Sequence, residues 1–348
     1  MKSVTKPEST RYDRQARFAP LGEEGQRRLS AARALVCGCG ALGSVVAETL
    51  VRAGVGFVRI VDRDFVELNN LQRQVLYDEQ DVADGLPKAI AAANKLRRIN
   101  SEIEIDAVVT DVTYRNIGEL ATDVDVIVDG TDNFGIRFLL NDFAVKHGKP
   151  WIYGGCIGAE GQTMTILPRE TACLACLMAD APPPGTTPTC DTAGILAPII
   201  GVIASIESAE ALKILSGNRD AVSRKLTIVD LWDNQVRQFD LKKLKENSEC
   251  RVCVHHEFAW LSGDRGESTA VLCGRNAVQL SAPAGTSISL DGLAARLAGL
   301  GQIQKNAFLL RLHLDGYVLT VFPDGRTIVG GTDDIATART VHARYIGA

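Results

Sequence analysis

No stretch of the sequence approaches the roughly 20 consecutive apolar residues of a membrane-crossing helix, although 46% of its 348 residues are hydrophobic. A membrane protein of the helical kind is therefore not expected. An excess of positive charge is missing as well. Against 38 Lys and Arg stand 42 Asp and Glu, a net charge of −4, which argues against nucleic acid as the main ligand. The segment Met1–Arg14 is charged and lacks an apolar core, so no secretion signal is expected and the cytoplasm is the expected compartment. In that compartment the nine cysteines read as metal ligands or catalytic thiols, not as a disulfide framework.

What the sequence does contain is an alternation of apolar strands and helical stretches. Arg33–Cys39 (RALVCGC) and Phe57–Val61 (FVRIV) are strand-like, with a helix expected over Ser44–Ala53 between them. Further strands are expected at Glu102–Val109, Asp125–Val128 and Pro150–Tyr153, and helices at 87–100, 134–148 and 199–215. This order predicts a doubly wound, mainly parallel, Rossmann-like α/β sheet. Four regions follow: an N-terminal helical arm (1–30), a nucleotide-binding domain (31–253), a linker (254–270) and a small α+β domain (271–348). In the last of these, Asp315–Gly316 between two strand-like runs is a hairpin signal.

Gly38-Cys39-Gly40-Ala41-Leu42-Gly43 is a G-x-G-x-x-G between a strand and a helix. Such a turn lets a phosphate meet the positive end of the helix. Asp62 ends the next strand, where a carboxylate can bind ribose hydroxyls. Alone, this pair of features would also suit a nicotinamide oxidoreductase. The residues beyond it shift the reading. Asn69, Asn70, Arg73 and Gln74 lie in the run VDRDFVELNNLQRQ, and Lys88 opens a helix after Pro87. Dehydrogenases need no arginine there, whereas an enzyme that releases pyrophosphate needs cations. Asp132 and Asn133, in DGTDN, follow a strand at the carboxyl edge of the sheet, where a carboxylate can hold Mg2+. The plainer alternative is that Arg73, Lys88 and Asp132 are surface ion pairs.

RYDRQ (Arg11–Gln15), GCGALG, VDRDFVELNNLQRQ, GTDN and the later cysteine pairs together resemble the ubiquitin-activating-type adenylating enzymes, in particular the MoeB/ThiF branch. The resemblance spans roughly residues 11–253 in unbroken order. It implies an ATP-dependent adenylyltransferase acting on the C-terminal glycine of a ubiquitin-like sulfur-carrier protein. A MoaD-like carrier of molybdopterin biosynthesis is the first expectation and a ThiS-like carrier of thiamine biosynthesis the alternative. It further implies that Gly40 and Ala41 approach the nucleotide, that Asp62 holds ribose, and that Asn70, Arg73 and Lys88 contact phosphates. Asp132 would coordinate Mg2+, and Arg14 would act in the partner's site of a homodimer. A separate sulfur donor would then produce the thiocarboxylate. Ala41 departs from the glycine common in the family, a change of one methyl group.

Cys173-x-x-Cys176 and Cys250-x-x-Cys253 supply the four thiolates of a closed structural Zn2+ site. Their distance in sequence is unlike a zinc finger, but in the family the two halves meet in space. His255 and His256 beside the second pair are alternative ligands. Cys190 matches the family's catalytic-cysteine position and is expected either to take a covalent role or to be a plain loop thiol. Cys37, Cys39, Cys156 and Cys273 are expected as small packing residues. The tail lacks the arginine-terminated loop of a rhodanese domain, and its role is open between an appendage and carrier recognition. A non-catalytic scaffold with the same fold is the remaining rival.

Overall fold

The computed structural model describes residues 10–182, 190–246, 249–265, 270–272, 276–280, 282 and 286–347, without the side chains of 10, 190, 191 and 270–272. The chain divides into two compact units, Met1–Pro182 with Ile195–Arg265 and Pro183–Gly194 with Gly266–Ala348.

In the first unit, the helix α1 (Gly22–Ala31) leads into β1 (Arg33–Cys37), α2 (Ala41–Ala53) and β2 (Phe57–Val61). Then come α3 (Lys88–Ile99), β3 (Glu104–Val108), β4 (Val126–Asp129), α4 (Phe134–His147), β5 (Trp151–Ile157) and β6 (Glu160–Ile166). The long helix α5 (Ala197–Leu215) precedes β7 (Lys225–Asp230) and β8 (Gln235–Asp240). The strands form one eight-stranded sheet in the order β3-β2-β1-β4-β5-β6-β7-β8. The first five pair in parallel; the remaining pairs are antiparallel. This is the expected mainly parallel, Rossmann-like sheet. The antiparallel extension was not foreseen. Its strands mix Gly, Thr and Gln with apolar residues, so they lack the continuous apolar run of a buried parallel strand.

Apolar side chains on the two faces build two cores. Val36, Val46, Leu50, Ile60, Leu96, Ile199 and Ile203 belong to one, between the sheet and the helices α2, α3 and α5. Leu35, Phe138, Phe143, Trp151 and Ile166 belong to the other, under α4. The apolar surround of α5 follows from its packing against both α2 and the sheet. Both α2 and α4 end at glycines in the left-handed region, Gly54 and Gly148. The arm residues that are described lie against this unit: Gln15 donates to the Ala53 carbonyl at 2.8 Å, and Asn100 donates to the Tyr12 hydroxyl at 2.7 Å. Part of the expected linker also packs here. The Asp142 carboxylate accepts the Trp260 N–H at 2.9 Å, and Trp260 stacks on Phe138. Large aromatic area on both sides makes that segment adhere where its polar sequence suggested a free connection.

The second unit contains the antiparallel sheet β11-β12-β13-β14-β10-β9, formed by β9 (Ala270–Leu272), β10 (Ala277–Leu280), β11 (Gln302–Lys305), β12 (Leu310–Leu314), β13 (Tyr317–Val321) and β14 (Thr327–Gly330). Helices α6 (Leu290–Leu297) and α7 (Ile335–Tyr345) accompany it. Leu293, Leu310, Leu319, Val329 and Ala338 are among its core residues. The hairpin at Asp315–Gly316 is formed, with Gly316 at φ 78°. Among the described residues no helix is long and apolar enough to cross a membrane.

Candidate active site

Three glycines bring β1, α2 and β4 together. A methyl group on Gly43 would lie 1.9 Å from the Gly38 carbonyl oxygen, and one on Gly130 would lie 2.4 Å from the same atom. Neither distance is possible for real atoms, so both positions require glycine. Gly40 differs. Its methyl would meet nothing nearer than 3.9 Å, so internal packing does not demand glycine there. The first turn of α2, starting at Ala41, has no side-chain cap. Its N–H groups thus form an open anion cradle at the carboxyl edge of the sheet.

Asp62 is held beneath this turn. One of its oxygens accepts the Cys39 N–H and the other the Asp64 N–H, both at 2.7 Å. Burial raises its pKa, and the Lys88 charge works against that rise. The carboxylate therefore braces the glycine turn as well as standing where ribose is expected. Lys88 is only 4% exposed; its backbone N–H donates to the Asp64 carbonyl at 2.8 Å, and its Nζ lies 3.4 Å from the Asp64 carboxylate. It is not a surface ion pair. Between these two, Glu67 and Asn70 cap a short turn at Leu68–Asn70 reciprocally. Asn70 donates to the Asn69 side chain at 2.8 Å, and Arg73 donates to the Asn69 carbonyl at 2.8 Å. Asn69 is exposed.

At the end of β4, Asp129 is fully buried and paired with Arg137 at 2.9 Å. Thr131 donates to it from both backbone and hydroxyl, at 2.9 and 2.7 Å. Burial raises the Asp129 pKa and Arg137 opposes the shift. One residue further, Asp132 is exposed and accepts no hydrogen bond among the described residues, although Arg63 and Arg137 feel its charge. Asn133 caps α4, its side chain accepting the Ile136 N–H at 3.0 Å. Arg14 is exposed on the short helix Asp13–Ala16. The fold thus brings Gly38, Gly40, Ala41, Gly43, Asp62, Asn69, Asn70, Arg73, Lys88, Asp132 and Asn133 to one edge of the sheet, at the carboxyl ends of β1, β2 and β4 and the starts of α2, α3 and α4. Cys190 begins a short helix, Cys190–Ala193; its side chain lies outside the described residues.

Against α4 the two C-x-x-C pairs meet. Cys173 lies 3.8 Å from Cys176 and 3.7 Å from Cys250, and Cys176 lies 3.4 Å from Cys253, sulfur to sulfur. All four sulfurs fall within 4.8 Å of one another. A tetrahedron with Zn–S bonds of about 2.3 Å needs S···S separations of about 3.8 Å, so these residues fit a zinc ion with only small adjustments of the sulfurs. His255 instead faces Glu249 at 3.3 Å. Cys37 and Cys39 are buried, the latter with its thiol pushed up to about 12 by burial; they are inert packing groups at neutral pH. Cys156 is half-buried, and Cys273 lies outside the described residues.

The ThiF family matches residues 12–252 of this sequence. The chain belongs to the ThiF family. A Bacillus subtilis relative named sulfur carrier protein ThiS adenylyltransferase is 44% identical over 338 residues, covering 97% of this chain and 99% of the relative. A Thermus thermophilus sulfur carrier protein adenylyltransferase is 38% identical over 254 residues, covering 72% and 92%. Crystal structures of Escherichia coli MccB share the fold, with a TM-score of 0.60 at 22% identity over 67% of this chain and 73% of that one. This ThiF-family chain is accordingly an adenylyltransferase.

Two residues of the ThiF-family edge escaped the sequence reading. Arg137 and Asp64 were not singled out in the sequence. Their partners, Asp129 and Lys88, are eight and 24 residues away in sequence, and no local pattern links them.

Proposed function

We propose that this chain uses ATP and Mg2+ to adenylylate the C-terminal glycine of a ubiquitin-like sulfur carrier of the ThiS type. The observation that carries the choice of carrier is the extent of the match. The relative named for ThiS is matched over 338 residues, including the C-terminal unit, whereas the relative named as a sulfur carrier protein adenylyltransferase without a specified carrier, at 38% identity, is matched over 254. The MoaD-type carrier, the first expectation from sequence, becomes the second reading.

The carrier carboxylate is ionised at neutral pH and needs no base. Its oxygen forms a bond to the α-phosphorus while the bond to the β-phosphate oxygen breaks, and pyrophosphate leaves. The task of the protein is positioning and charge neutralisation. The uncapped start of α2, with Gly38, Gly40, Ala41 and Gly43, would receive phosphate, and Asp62 the ribose. Asn69, Asn70, Arg73 and Lys88 would face the triphosphate, with Asn133 fixing the start of α4 next to Asp132. Mg2+, held by Asp132, would supply neutralising charge to the phosphate oxygens. Arg14 would reach the site of the partner in a homodimer; Phe18, 65% exposed, and Leu68, 67% exposed, are apolar surfaces that a second subunit would cover. Zn2+ on Cys173, Cys176, Cys250 and Cys253 would be structural, since four thiolates leave no open position. Cys190 would serve the later sulfur transfer, in which a separate donor acts. A cytoplasmic location suits such an enzyme.

The test is ATP–pyrophosphate exchange with purified carriers. Exchange that depends on a ThiS-type carrier and disappears when its terminal glycine is removed supports the proposal. Exchange only with a MoaD-type carrier favours the second reading, and exchange with neither refutes both.

A further inference from the structure

Arg137 is 6% exposed and spends its guanidinium on two groups of the segment before Asp132 and one carbonyl of β5. Its Nε donates to the Asp129 carboxylate at 2.9 Å; one terminal nitrogen donates to the Thr131 carbonyl at 2.6 Å and to the Gly154 carbonyl at 2.9 Å. Thr131 is also tied to the other Asp129 oxygen by its N–H and hydroxyl. From the opposite side Gly130 is wedged against Gly38 and Gly43. Residues 129–131 are therefore clamped on two sides, and Asp132 is the first residue of the turn whose carboxylate is left open. Burial works against the Arg137 charge, but Asp129, Tyr153 and Asp132 together more than offset it and its pKa rises; the cation is permanent. Nothing in this arrangement gives Arg137 a view of solvent, so its role is exercised through the loop.

We propose that Arg137 is a positioning residue for the metal-binding step: its fork fixes the Thr131 carbonyl and thereby aims the Asp132 carboxylate at the cation that ATP brings. The inference rests on the reading of Asp132 as the Mg2+ ligand. It assigns to a buried arginine control over how much Mg2+ the reaction needs. Lysine keeps the charge but has no planar fork to hold two carbonyls and a carboxylate at once.

The experiment measures ATP–pyrophosphate exchange as a function of free Mg2+ for the wild type, Arg137→Lys, Thr131→Val and Asp132→Asn, with circular dichroism and zinc content verifying the fold. Arg137→Lys is expected to raise the Mg2+ concentration for half-maximal exchange about tenfold, as loss of a ligand-orienting partner does. The KM for ATP at saturating Mg2+ stays near the wild-type value. Thr131→Val removes one hydroxyl at the rim of the same turn and moves the Mg2+ midpoint in the same direction by a smaller factor, which serves if Arg137→Lys does not fold. If Asp132→Asn is nearly inactive while the folded variants keep the wild-type Mg2+ midpoint, the positioning role is overturned and the site reading stands. If Asp132→Asn exchanges normally, the site reading itself falls, and the inference with it.

Discussion

The nucleotide edge and the four-cysteine cluster are both assembled from residues far apart in the chain, yet they are finished to different degrees. In the cluster, four sulfurs already stand at metal-ligand separations, and the backbone of the first knuckle is pinned by Asn141, which accepts the Leu174 N–H at 2.8 Å. At the nucleotide edge the backbone is equally rigid, held by Gly38, Gly43, Gly130, Asp62 and Arg137. Lys88 and Asn70 are buried with it, but other groups proposed to meet phosphate and metal are another matter. Asp132, Asn69 and Arg14 are exposed. A structural site brings its ligands together in the fold itself, because its ion is part of that fold. A site that binds and releases substrates keeps its scaffold fixed and leaves part of its charged groups open.

The sharpest way to break this comparison is at Asp132. Asp132→Ala should leave thermal stability unchanged, because the side chain makes no hydrogen bond among the described residues, and should abolish exchange. Loss of metal charge stabilisation is expected to cost about 4 kcal/mol, roughly a thousandfold in rate. Near-normal exchange would remove Asp132 from the site. The cluster should behave in the opposite way. Cys173→Ser should lower the melting temperature by about 10 °C and remove zinc from the purified protein. Elemental analysis that finds no zinc in the wild type, purified without chelator, would contradict the structural role.

A smaller effect is expected behind the nucleotide edge, at Glu207 on α5. Its carboxyl is fully buried, has no hydrogen-bond partner among the described residues, and lies where a Gly154 side chain would begin, at 2.1 Å. Burial pushes its pKa well above the usual range; Asp129 adds to the shift and Arg137 opposes it. Tyr153 is the other titratable group that senses it. Because the folded-state pKa is raised, its contribution to stability is complete below the unfolded value of about 4.3 and is lost as pH rises towards the folded one. Glu207→Gln cannot ionise. The difference in melting temperature, variant minus wild type, should therefore increase as pH is raised from about 5 to about 8. A constant difference would mean that Glu207 does not hold its proton in the native state.

The legibility of these regions in sequence follows from their physics. Glycines that must fit against backbone, as at 38 and 43, keep a fixed spacing and were visible at once. So were paired cysteines, whose chemistry is local to each C-x-x-C. The helix after the first strand begins at Ala41, three residues before the expected start, because the second half of the glycine motif is already its first turn. The strands β6, β7 and β8 were missed; β8 is exposed along its whole length and so carries no apolar pattern. Arg137 and Glu207 were missed because a charge paired or neutralised in the interior looks, in sequence, like a charge in water. For the same reason the Lys88–Asp64 contact could not be told from a surface pair.

The claim that the nucleotide edge is an open scaffold completed by a second subunit can be tested directly by mixing. Arg14→Ala and Asp132→Ala proteins, each nearly inactive in carrier-dependent pyrophosphate exchange, are combined and allowed to exchange subunits. Random exchange makes about half of the dimers mixed, each with one pocket that has both groups, so activity should return to roughly a quarter of the wild-type level. If subunits demonstrably exchange, as followed by native mass spectrometry, and no activity returns, Arg14 does not act across a dimer and the edge must be completed within its own chain.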